Sequence, residues 1–198
     1  MSSGGGAAAE VMVPVLNSDG PPTKAQETAL SGADMKKLLP HVPITVYADL
    51  LTSPVDELFD AKGRCVVLFV AHDDPKGGAD GHWLGLLRKG GVLEFFDPYG
   101  GTHDPWYFDR TLSGGASDGP TPSPIAKALC TKLGVQPEFN KHRFQVLESG
   151  MNTCGRHCVV RLQKHQLSFP EYKNWMDAQC SSDITPDDVV TQLTRKIE

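Results

Sequence analysis

The most regular pattern in the chain is a pair of short apolar runs on either side of a glycine turn. His82-Trp-Leu-Gly-Leu-Leu-Arg88 and Val92-Leu-Glu-Phe-Phe-Asp97 flank Lys89-Gly90-Gly91, which predicts an antiparallel hairpin. Cys65-Val-Val-Leu-Phe-Val70 is an unbroken, β-branched apolar run of strand length, so it predicts a buried strand ahead of the hairpin. His142–Leu147 predicts a further short strand, and Ile44–Leu51 fits strand and helix equally well. Helical patterns occupy much of the rest. Asp34–Leu39 is stopped by Pro40, Ser53-Pro54-Val55-Asp56 opens a helix through Phe59, and Ser123-Pro124 opens one through Leu133 that ends at Gly134. A run starting at Thr153 or Cys154 extends to Leu167, and Ser168-Phe169-Pro170 opens a helix to about Asp177. Thr185-Pro186-Asp187-Asp188 is a capping box for a last helix with an apolar stripe at Val189, Val190, Leu193 and Ile197. The expectation is an α+β domain: a small mixed β-sheet packed with helices, with Cys154 at the N-terminus of a central helix.

Composition sets the limits of that domain. Residues 1–30 are rich in Ser, Gly, Ala and Pro and are expected to form a flexible N-terminal arm, in which Val11–Leu16 has the pattern of an edge strand; residues 31–198 form the domain. The stretch from Pro98 to Pro122 is long for a connection and carries Trp106, Tyr107 and Phe108, which suits the lining of a groove. Hydrophobic residues make up 39% and charged residues 22%, ordinary for a globular protein. A net charge of −5, with no stripe of Lys and Arg, argues against a general nucleic-acid binder. The longest apolar run, Cys65–Ala71, is too short to span a bilayer, and the N-terminus lacks the basic-then-apolar pattern of a signal peptide. Five scattered cysteines point to free thiols in a reducing compartment.

One segment carries chemistry. In Asn152-Thr153-Cys154-Gly155-Arg156-His157-Cys158 the first cysteine sits where a helix begins. There the positive end of the helix dipole favours a thiolate, and the following glycine leaves room for a substrate backbone. A buried structural cysteine would satisfy the same residues. His82 begins one strand of the predicted hairpin and Asp97 ends the other, so antiparallel pairing brings imidazole and carboxylate together. A carboxylate fixes the imidazole's tautomer and makes it a better base. His82, Asp97 and Cys154 then make a base, an orienter and a nucleophile in that chain order. Taken separately, His82 is a loop histidine and Asp97 a turn cap. Cys154, His157 and Cys158 also invite a metal, but no second ligand cluster accompanies them, so no metal or other cofactor is expected. Cys158, one helical turn on, suits the core.

Papain-type enzymes place the cysteine before the histidine; here it comes last. Gly81-His82-Trp83, Glu94-Phe-Phe-Asp97-Pro-Tyr-Gly100 and Asn152-Thr-Cys154-Gly155 together resemble the adenain-like and SUMO-specific cysteine proteases, most of all those of large DNA viruses, over roughly residues 65 to 165. The resemblance implies that His82 is general base and acid, Asp97 its orienter and Cys154 the nucleophile, with Trp83 walling a narrow substrate channel. It also implies an oxyanion-hole glutamine six or seven residues before the cysteine. Glu148 stands six before, and a carboxylate cannot donate unless protonated. Gln145, nine before, is favoured, with Asn152 as a second candidate beside the Cys154 backbone N–H.

The function implied is a cysteine endopeptidase that cleaves after glycine, at Gly-Gly or Gly-x-Gly sites, in viral structural polyproteins within a virion or host cytoplasm. Gly155 keeps one wall of the channel low, so Gly155, Asn152 and Trp83 are the expected substrate contacts. The partners implied are a protein substrate and, by analogy with the family, an activating peptide for which Cys130 is the nearest cysteine; nucleic acid and membrane are not expected. A protease for ubiquitin-like modifiers is the alternative. A non-enzymatic virion component of the same fold is a further one.

Overall fold

In the computed structural model, which describes residues 22–70, 81–100, 124–146 and 148–195, the hydrophobic alternation resolves into one five-stranded mixed sheet. The strands are β1 (Ile44–Val46), β2 (Arg64–Val70), β3 (Gly81–Lys89), β4 (Val92–Phe96) and β5 (Gln136–Phe139), hydrogen-bonded in that order. The expected hairpin is β3–β4, turned at Gly90, whose φ of 59° favours glycine. β2 lies antiparallel on its other side, and β1 and β5 add in parallel at the two edges.

Both faces of the sheet are covered, because successive residues alternate between two cores. Val66, Trp83, Leu87 and Phe96 face one core; Cys65, Val67, Leu84, Leu86, Leu93 and Phe95 face the other. The second core is closed by α4 (Pro124–Leu133) through Ala126, Leu129, Cys130 and Leu133, with Tyr47, Leu50 and Leu58 from the segments around β1 and α3 (Val55–Leu58). The first is closed by α2 (Gly32–Leu38), α5 (Cys154–Gln163), α6 (Phe169–Asp177) and α7 (Pro186–Leu193). α5 lies closest to the sheet. A Cβ added to Gly85 in the middle of β3 would stand 3.6 Å from the Leu162 side chain.

Every residue of α5 from Cys154 to Leu162 is buried, including Arg156, His157 and Arg161. Buried charges must be paired. Arg161 meets both carboxylate oxygens of Glu94 on β4, at 2.7 and 2.6 Å, and stacks its guanidinium on Tyr172. Arg156 donates to Thr194 Oγ1 and to the Ala25 carbonyl. The Ala25 contact belongs to α1 (Lys24–Glu27), a short helix with a full Thr23/Gln26 capping box. Residues 22–30 fall inside the stretch expected as a flexible arm, yet Gln26 and Leu30 are buried there. Val11–Leu16, Trp106, Tyr107, Phe108 and Ile197 lie outside the described residues.

Three readings change. His142–Leu147 is not a strand where it is described. The Phe144 and Gln145 N–H groups both donate to the Pro98 carbonyl, so no ladder forms. The strand in that region is β5, four residues long and containing Pro137, features that hide an edge strand from sequence. Ile44–Leu51 divides into both alternatives, β1 and then a 3₁₀ turn over Tyr47–Asp49. The cysteine helix stops at Gln163, short of Leu167. Among the described residues, no helix is long and apolar enough to cross a membrane.

Arg161→Met leaves Glu94 buried and unpaired. It is expected to cost about 3–5 kcal/mol of stability in chemical denaturation, the usual penalty for removing one partner of a buried pair. A loss below about 1 kcal/mol would show that the pair is solvated.

Candidate active site

His82, Asp97 and Cys154 meet at one end of the sheet. His82 stands at the start of β3, Asp97 just past the end of β4, and Cys154 at the first position of α5. His82 Nε2 lies 2.9 Å from Asp97 Oδ1. The Cys154 side chain is the ring's next interacting partner after Asp97. The hairpin register runs Gly85↔Phe96, so continuing it sets Tyr99, not Asp97, opposite His82. Asp97 reaches the imidazole along the diagonal, while Tyr99 stacks on the ring, centroids 4.9 Å apart and planes inclined by 15°.

Asp97 is held firmly. Its Oδ1 also accepts from the Tyr99 N–H at 2.9 Å. The Asn140 side chain, next after β5, brackets its backbone, accepting from Asp97 N at 2.8 Å and donating to Asp97 O at 2.7 Å. The turn closes at Gly100, with φ 69°, where a Cβ would press within 2.7 Å of the His142 backbone. Sequence reasoning missed both Tyr99 and Asn140. Tyr99 stood in the quoted Asp-Pro-Tyr-Gly motif, but Asn140 carries no local signal.

The electrostatics favour an ion pair. Burial opposes a charge on either group. For His82, the Asp97 carboxylate and its hydrogen bond outweigh burial, helped by Cys154, and push the imidazole up to about 10. For Cys154, burial is outweighed by the hydrogen bond and charge of His82 and by the backbone N–H groups of Trp83 and Gly155, so the thiol is held below its ordinary value. Cys158 behaves in the opposite way. Burial drives its thiol well above the ordinary value, and it donates to the Trp83 carbonyl at 3.2 Å. Cys130 is likewise buried and raised, to about 11.

The remaining candidates take specific places. Gln145 is 1% exposed, and its Nε2 donates to Met151 O at 3.1 Å and to the Tyr99 hydroxyl at 3.3 Å. Asn152 faces away, its Nδ2 donating to Glu27 O at 2.7 Å and its backbone N–H to Gln26 O at 2.8 Å. Trp83 is packed, 5% exposed, with its indole N–H on the Leu30 carbonyl at 2.9 Å. Gly155 makes room for that ring: a Cβ there would stand 2.9 Å from Trp83 Cδ1 and 3.2 Å from Leu30 Cβ. His157, the second histidine of the motif, turns its Nε2 to Asp187 at 3.1 Å, where both side chains are wholly buried. Among the described residues, no group of three or more His, Cys, Asp or Glu side chains is arranged to hold a metal ion.

No family model matches the chain. In its solved structure, the ASFV pS273R protease is similar over 87% of this chain and 70% of its own, at 13% identity and a TM-score of 0.44. The uncharacterized protein V9 of Sputnik virophage is 31% identical over 179 residues, which covers 85% of this chain and 95% of V9. The chain therefore belongs to the same protein family as the virophage protein V9.

Proposed function

We propose that this protein is a cysteine endopeptidase acting through a thioester at Cys154. The observation that carries the reading is the His82 ring, hydrogen-bonded to the Asp97 carboxylate and interacting with the Cys154 side chain at the first position of α5. A histidine held between an acid and a cysteine at a helix N-terminus supplies a thiolate and a proton donor together. The sulfur attacks the substrate carbonyl and a C–S bond forms. His82 passes its proton to the departing amine as the C–N bond breaks, and then draws a proton from the water that hydrolyses the thioester. Asp97 holds the ring in the productive orientation throughout. The Cys154 backbone N–H and the Gln145 amide receive the oxyanion. For Gln145 this means turning the N–H now on the Tyr99 hydroxyl, the longer of its two bonds, toward the substrate.

Packing beside the nucleophile supports cleavage after glycine. Trp83 and Leu30 fill the space over Gly155, so a residue without a side chain approaches the sulfur most easily. The virophage relative supports a viral setting, in which the substrate is a structural polyprotein processed in the virion or the host cytoplasm. Removal of a ubiquitin-like modifier with a Gly-Gly terminus would use the same machinery, and a folded conjugate distinguishes the two.

Cys154→Ser is expected to lower peptide turnover by at least ~10³ with an unchanged melting temperature, since members of a triad act as a unit. Cys158→Ser, in a packed position, costs far less turnover; equal losses at both would refute the assignment. The pH dependence has two limbs. Turnover rises as Cys154 loses its proton, below the ordinary thiol range, and falls as His82 loses its own at about 10. Asp97→Asn removes the charge that raises His82, so the alkaline limb moves down and the acid limb up. An unaltered profile in this variant would show that Asp97 is only a turn residue. For specificity, two extended peptides differing by Gly→Ala before the scissile bond are expected to differ about fivefold or more, matching an overpacking cost of ~1–3 kcal/mol. Equal rates would exclude a glycine channel.

A further inference from the structure

Asp187 is the second residue of α7 and is completely buried. Its neighbour Asp188 completes the helix capping box with Thr185, so Asp187 is not needed there. Its carboxylate instead gathers three groups from two separate pieces of chain. Oδ2 accepts from the Val146 N–H at 3.0 Å. Oδ1 accepts from the Thr153 hydroxyl and from His157 Nε2. Val146 directly follows Gln145, and Thr153 directly precedes Cys154.

Thr153 is also unusual as a helix cap. A threonine at this position ordinarily turns its oxygen to the first-turn N–H groups. Here its side chain caps nothing, because its hydroxyl is directed to Asp187. The Gln145 segment has its own anchors: its backbone N–H is on Pro98 O at 2.9 Å, and its side chain on Met151 O, two residues before Thr153. Between Val146 and Thr153, Asp187 supplies a second bridge through a buried carboxylate.

We propose that Asp187 is a positioning residue for acyl transfer: its single carboxylate ties the Gln145–Val146 segment to the Thr153–Cys154 turn and so fixes the oxyanion donors relative to the nucleophile. This rests on Cys154 being the nucleophile and Gln145 an oxyanion donor. Asp187 does not touch the His82–Asp97 pair, which is held by β3, Tyr99 and Asn140. Its loss therefore affects carbonyl attack and leaves thiolate formation intact.

Two reactions of the same sulfur separate these effects. Iodoacetamide alkylates a thiolate without forming an oxyanion. An N-acylglycine p-nitrophenyl ester acylates it through one, releasing nitrophenolate as the C–O bond breaks. In the full chain, with Cys154 modification followed by mass spectrometry, Asp187→Ala is expected to lower the acylation rate ~10–100-fold, less than the ~10²–10³ lost when an oxyanion donor is removed outright, with alkylation unchanged. Asp187→Asn is the rescue. Its amide oxygen can take the Val146 N–H while its NH₂ donates to Thr153 and His157, reversing two bonds and keeping all three ties. It should acylate within about threefold of wild type. Thr153→Val, lacking one tie, should fall between, and Thr153→Ser should match wild type, so the test stands even if Asp187→Ala fails to fold. Equal falls in alkylation and acylation, or an Asn variant as impaired as the Ala variant, would overturn the proposal. Unchanged acylation in both Asp187→Ala and Thr153→Val would do so as well. A wild-type protein that neither alkylates nor acylates at Cys154 would instead refute the nucleophile assignment.

Discussion

Helix α5 must be buried along its whole length while its first residue stays beside the end of the sheet, and most of the molecule follows from that requirement. A helix packed against the centre of a sheet and covered on its other sides would ordinarily be apolar all round. This one carries Arg156, His157 and Arg161 into the interior. Each side chain needs a partner, and the partners come from three elements: Glu94 from β4, Asp187 and the C-cap Thr194 from α7, and Ala25 from α1. Buried pairs of this kind add little net stability against an apolar alternative. Their effect is on register. Arg161 has to reach both Glu94 oxygens, so sliding the helix along the sheet breaks a bidentate contact, and Cys154 keeps its place relative to His82.

That placement decides which cysteine is reactive. Cys154 and Cys158 are four residues apart on one helix, and both are buried. Burial alone raises a thiol, as Cys158 shows. Cys154 departs in the other direction because it lies at the helix start, within reach of His82 and two backbone N–H groups, while Cys158 meets only a carbonyl. The difference is one turn of helix, enough to exchange donors for an acceptor.

Much of this was legible in sequence, for identifiable reasons. The β3–β4 hairpin follows from alternation around a glycine turn. The pairing of His82 with Asp97 follows from the hairpin, although the register makes it a diagonal contact with Tyr99 at the opposite position. The Ser168-Phe169-Pro170 start placed α6 and a capping box placed α7. What was not legible depends on distant pieces of chain. Gly155 suggested open space for a substrate, yet a tryptophan far back in the chain and Leu30 fill that space. Composition suggested an arm up to residue 30, but backbone carbonyls of Ala25, Gln26, Glu27 and Leu30 accept from Arg156, Asn152 and Trp83, contacts no local pattern encodes. Asn140 and Asp187 are ordinary polar residues in sequence, and only the fold points their side chains inward.

The site thus has two supports built from separate parts of the chain. The proton-transfer side, His82 and Asp97, is held by β3, the Asp97–Gly100 turn and Asn140. The acyl side, Cys154 and the Gln145 segment, is held by α5 and α7. Pro98 joins them, since its carbonyl takes the N–H groups of both Phe144 and Gln145 one residue beyond Asp97. A thiolate draws mainly on the first support, through His82. A tetrahedral intermediate needs both, because its negative charge appears on an oxygen that His82 does not reach. The backbone bonds at Pro98 therefore relate the proton donor to the oxyanion donors, and the geometry between the two halves is set by main chain, which no side-chain substitution removes.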